Sequence, residues 1–173
     1  MRVVAHRLAQ VNVSRLLAPL DSPLLVDFMA ALDEVNAEAD RSPGFVWRLQ
    51  TEDGNATAIR AFGWDVAGSH GVIVNLTVWE DVESLGAYVF GGRHLEVMRR
   101  RRTWFHRAAE AMTALWWLPA GRLPTTSDAE ARIRHLRAHG PTPEAFPFRS
   151  VFLPPGAPGS PAVRQTDDWL CPA

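Results

Sequence analysis

GVIVNLTVW, residues 71–79, constrains the fold more than any other stretch of the chain. Side chains alternate across a strand, so Val72, Val74, Leu76 and Val78 form one wholly apolar face. Ile73, Asn75, Thr77 and Trp79 form the other, which is mixed. HRLAQVNV from residue 6 repeats the arrangement, with Ala9, Val11 and Val13 on one side and Leu8, Gln10 and Asn12 on the other. An apolar face has to be covered, and the apolar faces of these two strands are the expected floor for helices. The opposite faces, bearing Gln10, Asn12, Asn75, Thr77 and Trp79, are too apolar for a plain solvent surface and too polar for a dry core. Two such sheets packed face to face would enclose them in a cavity with hydrogen-bonding groups and aromatic walls, the usual make-up of a small-molecule site. The other reading is an open, solvated face, as antiparallel sheets allow.

The remaining elements follow from local signals. Ser22 and Pro23 suit the cap and first position of a helix whose stripe is Leu25, Phe28, Leu32 and Val35. RSPG ends it, and FVWRLQ from Phe45 predicts a second strand. DGN at 53–55 is turn chemistry, and the stretch up to Gly71 predicts an irregular hairpin. Asp81 can cap a short helix through Leu85, Tyr88 and Val89, broken at Gly91-Gly92, with a longer helix from about His94 to Ala111. TALWWLP, residues 113–119, is a fourth strand. Ser127 and Glu130 predict a capping box for a further helix with Ala129, Ile133 and Leu136 inward and Gly140 as its stop. The order strand, helix, strand, strand, helix, strand is that of a ferredoxin-like α+β domain, here residues 1–149, with an added helix. The proline- and glycine-rich remainder, residues 150–173, predicts an extended arm lying over the domain or over a partner.

Bulk properties narrow the function. The 173 residues carry 18 Lys and Arg against 19 Asp and Glu, so the Arg99–Arg102 run is a local feature and not part of a basic, nucleic-acid-binding protein. The single cysteine, Cys171, permits no disulfide or cysteine-based zinc site within the chain and lies in the expected arm, away from any nucleophile role. The start lacks signal-peptide features and no apolar run reaches the length of a membrane span, so a soluble, cytoplasmic protein is expected. No phosphate loop, nucleophile elbow or HExxH is present, and the six histidines show no zinc spacing.

Four consecutive arginines on a helix sweep most of its circumference, since each residue turns by about 100°. His94, Met98, Arg101 and Phe105 share a stripe, as do Leu95, Met98, Arg102 and Phe105, which puts Arg101 or Arg102 beside apolar groups. A guanidinium there needs Trp104 to stack on, Glu96 or Glu110 to pair with, or an anionic ligand. His94, following two glycines at the mouth of the helix, is either a capping, partly buried histidine or a general acid or base, or else a metal or haem-iron ligand. Trp116 and Trp117 alternate across their strand, one toward the helices and the other toward the cavity or a dimer interface.

LAQVNVSRLLAPLDSP, VNLTVWEDVESLGAYVF, RHLEVMRRRRTWF, LWWLPAGRLPT and HLRAHGPTPEAFPF, taken in order over residues 6–149, resemble an uncharacterised bacterial domain-of-unknown-function family. That family is grouped with the dimeric α+β barrel superfamily, which holds the antibiotic-biosynthesis monooxygenases. The resemblance implies a ferredoxin-like four-stranded antiparallel sheet with helices on one face and a homodimer in the manner of a dimeric α+β barrel, with the extra C-terminal helix and arm as departures. It implies a small-molecule enzyme, cofactor-independent, that oxygenates, cyclises or isomerises an aromatic or polyketide-like substrate. On this reading His94 and Asn75 are catalytic, and Gln10, Asn12, Thr77, Trp79, Arg101, Arg102, Trp104 and Trp117 bind substrate. No metal is expected. The alternatives are a haem enzyme with His94 on the iron and arginines on the propionates, and a non-catalytic dimer that binds a hydrophobic metabolite. Neither nucleic acid nor membrane is an expected partner.

Overall fold

The computed structural model describes residues 5–158; Cys171 and the end of the expected arm lie outside the described residues. Four strands form one antiparallel sheet in the order β2-β3-β1-β4: β1 His6–Arg15, β2 Phe45–Arg48, β3 Val72–Trp79 and β4 Thr113–Pro119. Helix α1, Val26–Arg41, joins the first two strands, and α2, Val82–Val89, and α3, Gly92–Arg99, lie between the last two. Helix α4, Thr126–His139, follows the sheet. This is the ferredoxin-like α+β arrangement expected, with the helix added. Register pairs Leu8 with Trp79, Gln10 with Thr77 and Asn12 with Asn75, so the mixed faces of β1 and β3 coincide as the alternation predicts.

The roles of the two sheet faces are the reverse of those expected. The mixed face, not the apolar one, is the floor for the crossover helices. Leu8, Trp79 and Leu115 pack there with Val35 and Ala39 of α1 and with Leu85 and Tyr88 of α2. The apolar face of Ala9, Val11, Val13, Val74 and Leu76 is covered by Ala129, Ile133 and Leu136 of α4 and by Phe62 from the loop before β3. The polar groups of the mixed face are tolerated beneath helices because they bond one another. The Trp79 indole donates to Thr77 Oγ1 at 2.9 Å, and the Thr77 hydroxyl donates to Gln10 Oε1 at 2.9 Å. A satisfied polar chain of this kind carries little burial cost. Both faces are therefore covered within one chain, so two sheets cannot pack face to face unless helices leave them.

Three boundaries also differ. The helix expected over 94–111 stops at Arg99, and after a short turn at Arg101–Thr103 the chain runs on without helix to β4. Backbone pairing replaces it: the Leu17 N–H donates to the Trp104 carbonyl and the His106 N–H to the Arg15 carbonyl, both at 2.9 Å. Trp104 is then buried against Phe28. Tertiary pairing and burial of an indole outweigh the helical preference of the arginines. The capping box of α4 is built by Thr125 and Asp128, with Ser127 inside the helix. Glu130 is engaged elsewhere, accepting the Phe62 N–H at 2.7 Å and the Trp64 indole at 3.0 Å. Finally, residues 141–158 lie along their own domain. Phe146 and Leu115 exchange backbone hydrogen bonds at 2.7 and 2.9 Å, which extends the sheet beyond β4.

Candidate active site

Between the open end of the mixed sheet face and the helices lies a cavity of about 400 Å³, within the range of ligand pockets. Its floor is Asn12, Ser14, Ile73, Asn75 and Thr113 from the three strands. Phe28, Leu32 and Val35 of α1 and Val97 and Met98 of α3 form an apolar roof. The wide end is closed by the irregular segment before β4 and by Pro147 and Arg149 of the C-terminal segment.

Asn12 and Asn75 face each other across adjacent strands, which places their Cβ atoms about 4.5–5.5 Å apart. The Asn12 amide is oriented: its Nδ2 donates to Thr113 Oγ1 at 2.8 Å, and its Oδ1 accepts from Ser14 Oγ at 3.4 Å. The Asn75 amide, in contrast, makes no hydrogen bond among the described residues, and it lines the cavity. An amide with both N–H groups and its carbonyl unspent, beside a cavity, is suited to hold a substrate oxygen.

His94 lines the same cavity from the first turn of α3. Its Nδ1 lies 2.9 Å from the Val89 carbonyl. A carbonyl only accepts, so Nδ1 carries the hydrogen and Nε2 keeps a lone pair with no protein partner among the described residues. Burial pulls the imidazole below its ordinary value, against the Val89 carbonyl and the Glu38 carboxylate, which pull it up. The ring is thus a neutral base at neutral pH. Its position is fixed on two sides. The ring sits 4.7 Å from that of Tyr88, which in turn stacks on Trp79 at 5.1 Å. The Glu38 carboxylate of α1 accepts the Arg93 and His94 N–H groups at 3.3 and 3.1 Å, capping α3 from a neighbouring helix. Such a cap needs an unobstructed helix start. Gly92 has φ +50°, and a Cβ there would collide with that carboxylate.

The sequence-predicted residues divide between cavity and core. Asn12, Asn75, His94, Arg101 and Arg102 all line the cavity. Gln10, Thr77 and Trp79 do not; they form the buried polar chain beneath α1 and α2, and Trp79 backs Tyr88. Trp104 is buried beside the cavity's apolar end, and the guanidinium over its ring at 5.0 Å belongs to Arg100. The expected carboxylates are engaged by other arginines: Glu96 by Arg93, and Glu110 by Arg15. Trp117 faces the arm, its indole donating to the Phe152 carbonyl at 2.7 Å, while Trp116 lies under α4. Sequence reasoning missed Arg107 and Arg149, because a helix through residue 111 would have turned the first away and the arm had no assigned place. Thr113, opposite Asn12, was legible from the strand alternation alone.

The cavity's wide end is anchored by a buried ionic group. Asp65 bonds Arg15 at 2.6 Å and Arg137 at 2.8 Å, and Arg137 Nε donates to the Ala111 carbonyl at 2.8 Å. Burial raises the Asp65 carboxyl, but the Arg137 and Arg15 hydrogen bonds outweigh it and hold the group below its usual value.

Haem as a cofactor has no support beyond the free Nε2 of His94 and the arginines of the wall. Among the described residues no group of three metal-ligating side chains occurs, and no helix is long and apolar enough to cross a membrane.

These features define a class: a ferredoxin-like α+β domain with a polar-floored cavity between its sheet and its crossover helices. The chain belongs to the family described as Domain of unknown function (DUF3291), which matches residues 7–162. No curated protein matches it in sequence. Among solved structures, the chain is similar to SnoaB, a cofactor-independent oxygenase from Streptomyces nogalater. The identity is 17%, over 68% of this chain and 96% of that one, with a TM-score of 0.40. It is also similar to a protein of unknown function from Nitrosomonas europaea, at 12% identity over 71% and 99% of the chains and a TM-score of 0.41. A Pseudomonas aeruginosa protein matches at 12% identity over 71% of this chain and all of that one, with a TM-score of 0.43. Likenesses of this extent assign neither residues nor activity.

Proposed function

We propose that this protein is a small-molecule enzyme that needs no cofactor and removes a proton from a carbon made acidic by a conjugated carbonyl in an aromatic or polyketide-like substrate. One observation carries the reading. A neutral imidazole, tied by Nδ1–H to the Val89 carbonyl, lines the same cavity as the unpartnered amide of Asn75. His94 Nε2 takes the proton. The Asn75 N–H groups, with the oriented Asn12 beside them, hold the oxygen as it becomes an enolate. The apolar roof of Phe28, Leu32 and Val97 excludes water from the carbanion.

Oxygenation, cyclisation and isomerisation all begin with this step, and oxygenation is the outcome proposed here. Dioxygen accepts the carbanion's electron pair and forms a C–O bond; the resulting peroxide loses water to leave a carbonyl. A methylene thereby becomes a carbonyl, with one oxygen atom in the product and one in water, and the four electrons lost by carbon reduce dioxygen.

The test is dioxygen uptake with dithranol, an anthrone with one acidic methylene. Wild-type protein is expected to consume one dioxygen per carbonyl formed. His94→Ala should lose roughly 100-fold or more in kcat/KM, as loss of a general base does. Dithranol that is bound and recovered unchanged from wild-type protein would make this a binding protein instead, which is the non-catalytic alternative.

A further inference from the structure

The cavity is cationic in a chain whose net charge is −1. Arg101, Arg102, Arg107 and Arg149 contribute to its wall beside Arg48, which is paired with Asp40, while the one carboxylate there, Glu110, is already paired with Arg15. Among the described residues, Arg107 and Arg149 have no carboxylate partner. They reach the wide end from different segments, the loop before β4 and the C-terminal segment, and both are exposed. Another part of the wall is apolar, built by Phe28, Leu32 and Val35. A cleft of one sign with low-dielectric walls concentrates ligands of the other sign. Guanidinium groups moreover offer planar paired donors that match a carboxylate.

We propose that the ligand of this cavity is an organic acid, an aromatic or polyketide-like carboxylate whose carboxylate docks at Arg107 and Arg149 while its rings lie against the apolar wall. The proposal rests on the function proposed above for the identity of the site, and it adds the substrate's charge and direction of entry. A volume of about 400 Å³ suits one acid of a few fused rings, and a carboxylate, rather than a phosphorylated coenzyme, is the anion committed to here.

The test compares binding of anthraquinone-2-carboxylate with that of its neutral carboxamide, by calorimetry, in the full-length protein. The acid should bind roughly ten-fold or more tightly than the amide, the scale of one bidentate charge-assisted contact. The advantage should shrink as salt is raised and vanish in the Arg107→Gln, Arg149→Gln double variant, in which acid and amide should bind alike. Equal affinity for acid and amide, a preference that survives in the double variant, or failure of the acid to bind would overturn the proposal. Binding makes no demand on chemistry, so its failure and that of the proton-abstraction reading are separable. Turnover of neutral and acidic anthrones at equal kcat/KM would sink the acid proposal and leave the base intact. Preferred binding of the acid without turnover would do the reverse.

Discussion

Asp65 and His94 are both held in the charge state their surroundings demand, by different means. Asp65 is 6% exposed and stays ionised because two guanidiniums bond it. Removing Asp65 leaves Arg137 without a carboxylate and Arg15 with Glu110 alone, so Asp65→Ala should lower the unfolding free energy by about 3–5 kcal/mol. Urea denaturation measures this, and a loss under about 1 kcal/mol would mean the arginines find water instead. His94 stays neutral because burial opposes its charge. Its folded value lies below the unfolded one, so its contribution to stability is present above the ordinary histidine value near 6.5 and is lost as pH falls through the folded value. The same shift sets activity: the acidic limb of kcat/KM should fall below pH 6.5. A limb at or above that value would show a ring made basic by Glu38 instead. At this scale much of the site was legible, because strand alternation put Asn12 and Asn75 on one face and Gly91-Gly92 marked His94. Gln10 and Thr77 look identical to them in sequence. Only the helix above each pair decides which amide is spent on a neighbour and which is left to the cavity.

Helix α3 shows what elements add. Its start is set by a carboxylate from α1, an interaction no local pattern announces, and its end by backbone pairing with Leu17 and Arg15. Gly92→Ala should cost about 1–2 kcal/mol for a left-handed residue bearing a side chain, and more in kcat/KM, because displacing Glu38 moves His94. Thermal denaturation beside dioxygen uptake separates the two effects. Activity unchanged at reduced stability would show that the Glu38 cap does not position the imidazole. The strands, by contrast, were readable to within a residue or two. Their alternation is a local signal, whereas the stop of α3, the Thr125 capping box and the arm's place along β4 depend on contacts distant in sequence.

The whole molecule inverts one expectation. Period-two patterning identified two unlike sheet faces but not which helices cover which, and an apolar face attracts any apolar helix equally. Helix α4 takes the face that a second sheet would need. Any dimer this chain forms should therefore leave α4 in place, with Ile133 and Leu136 amides equally protected from hydrogen exchange at low and high protein concentration. Protection lost on dilution would mean that a partner, and not the chain's own fold, holds α4 on the sheet. With the apolar face sealed, the cavity under α1 and α3 can be polar without weakening the core.

The most direct test of that cavity is anaerobic exchange of the dithranol methylene with heavy water, followed by proton NMR. Without dioxygen only the proton step remains. Wild-type protein should exchange the methylene well above the buffer rate, and His94→Ala should return it to that rate. Wild-type exchange no faster than buffer, or an equal acceleration in His94→Ala, would contradict the assignment of His94 as the base.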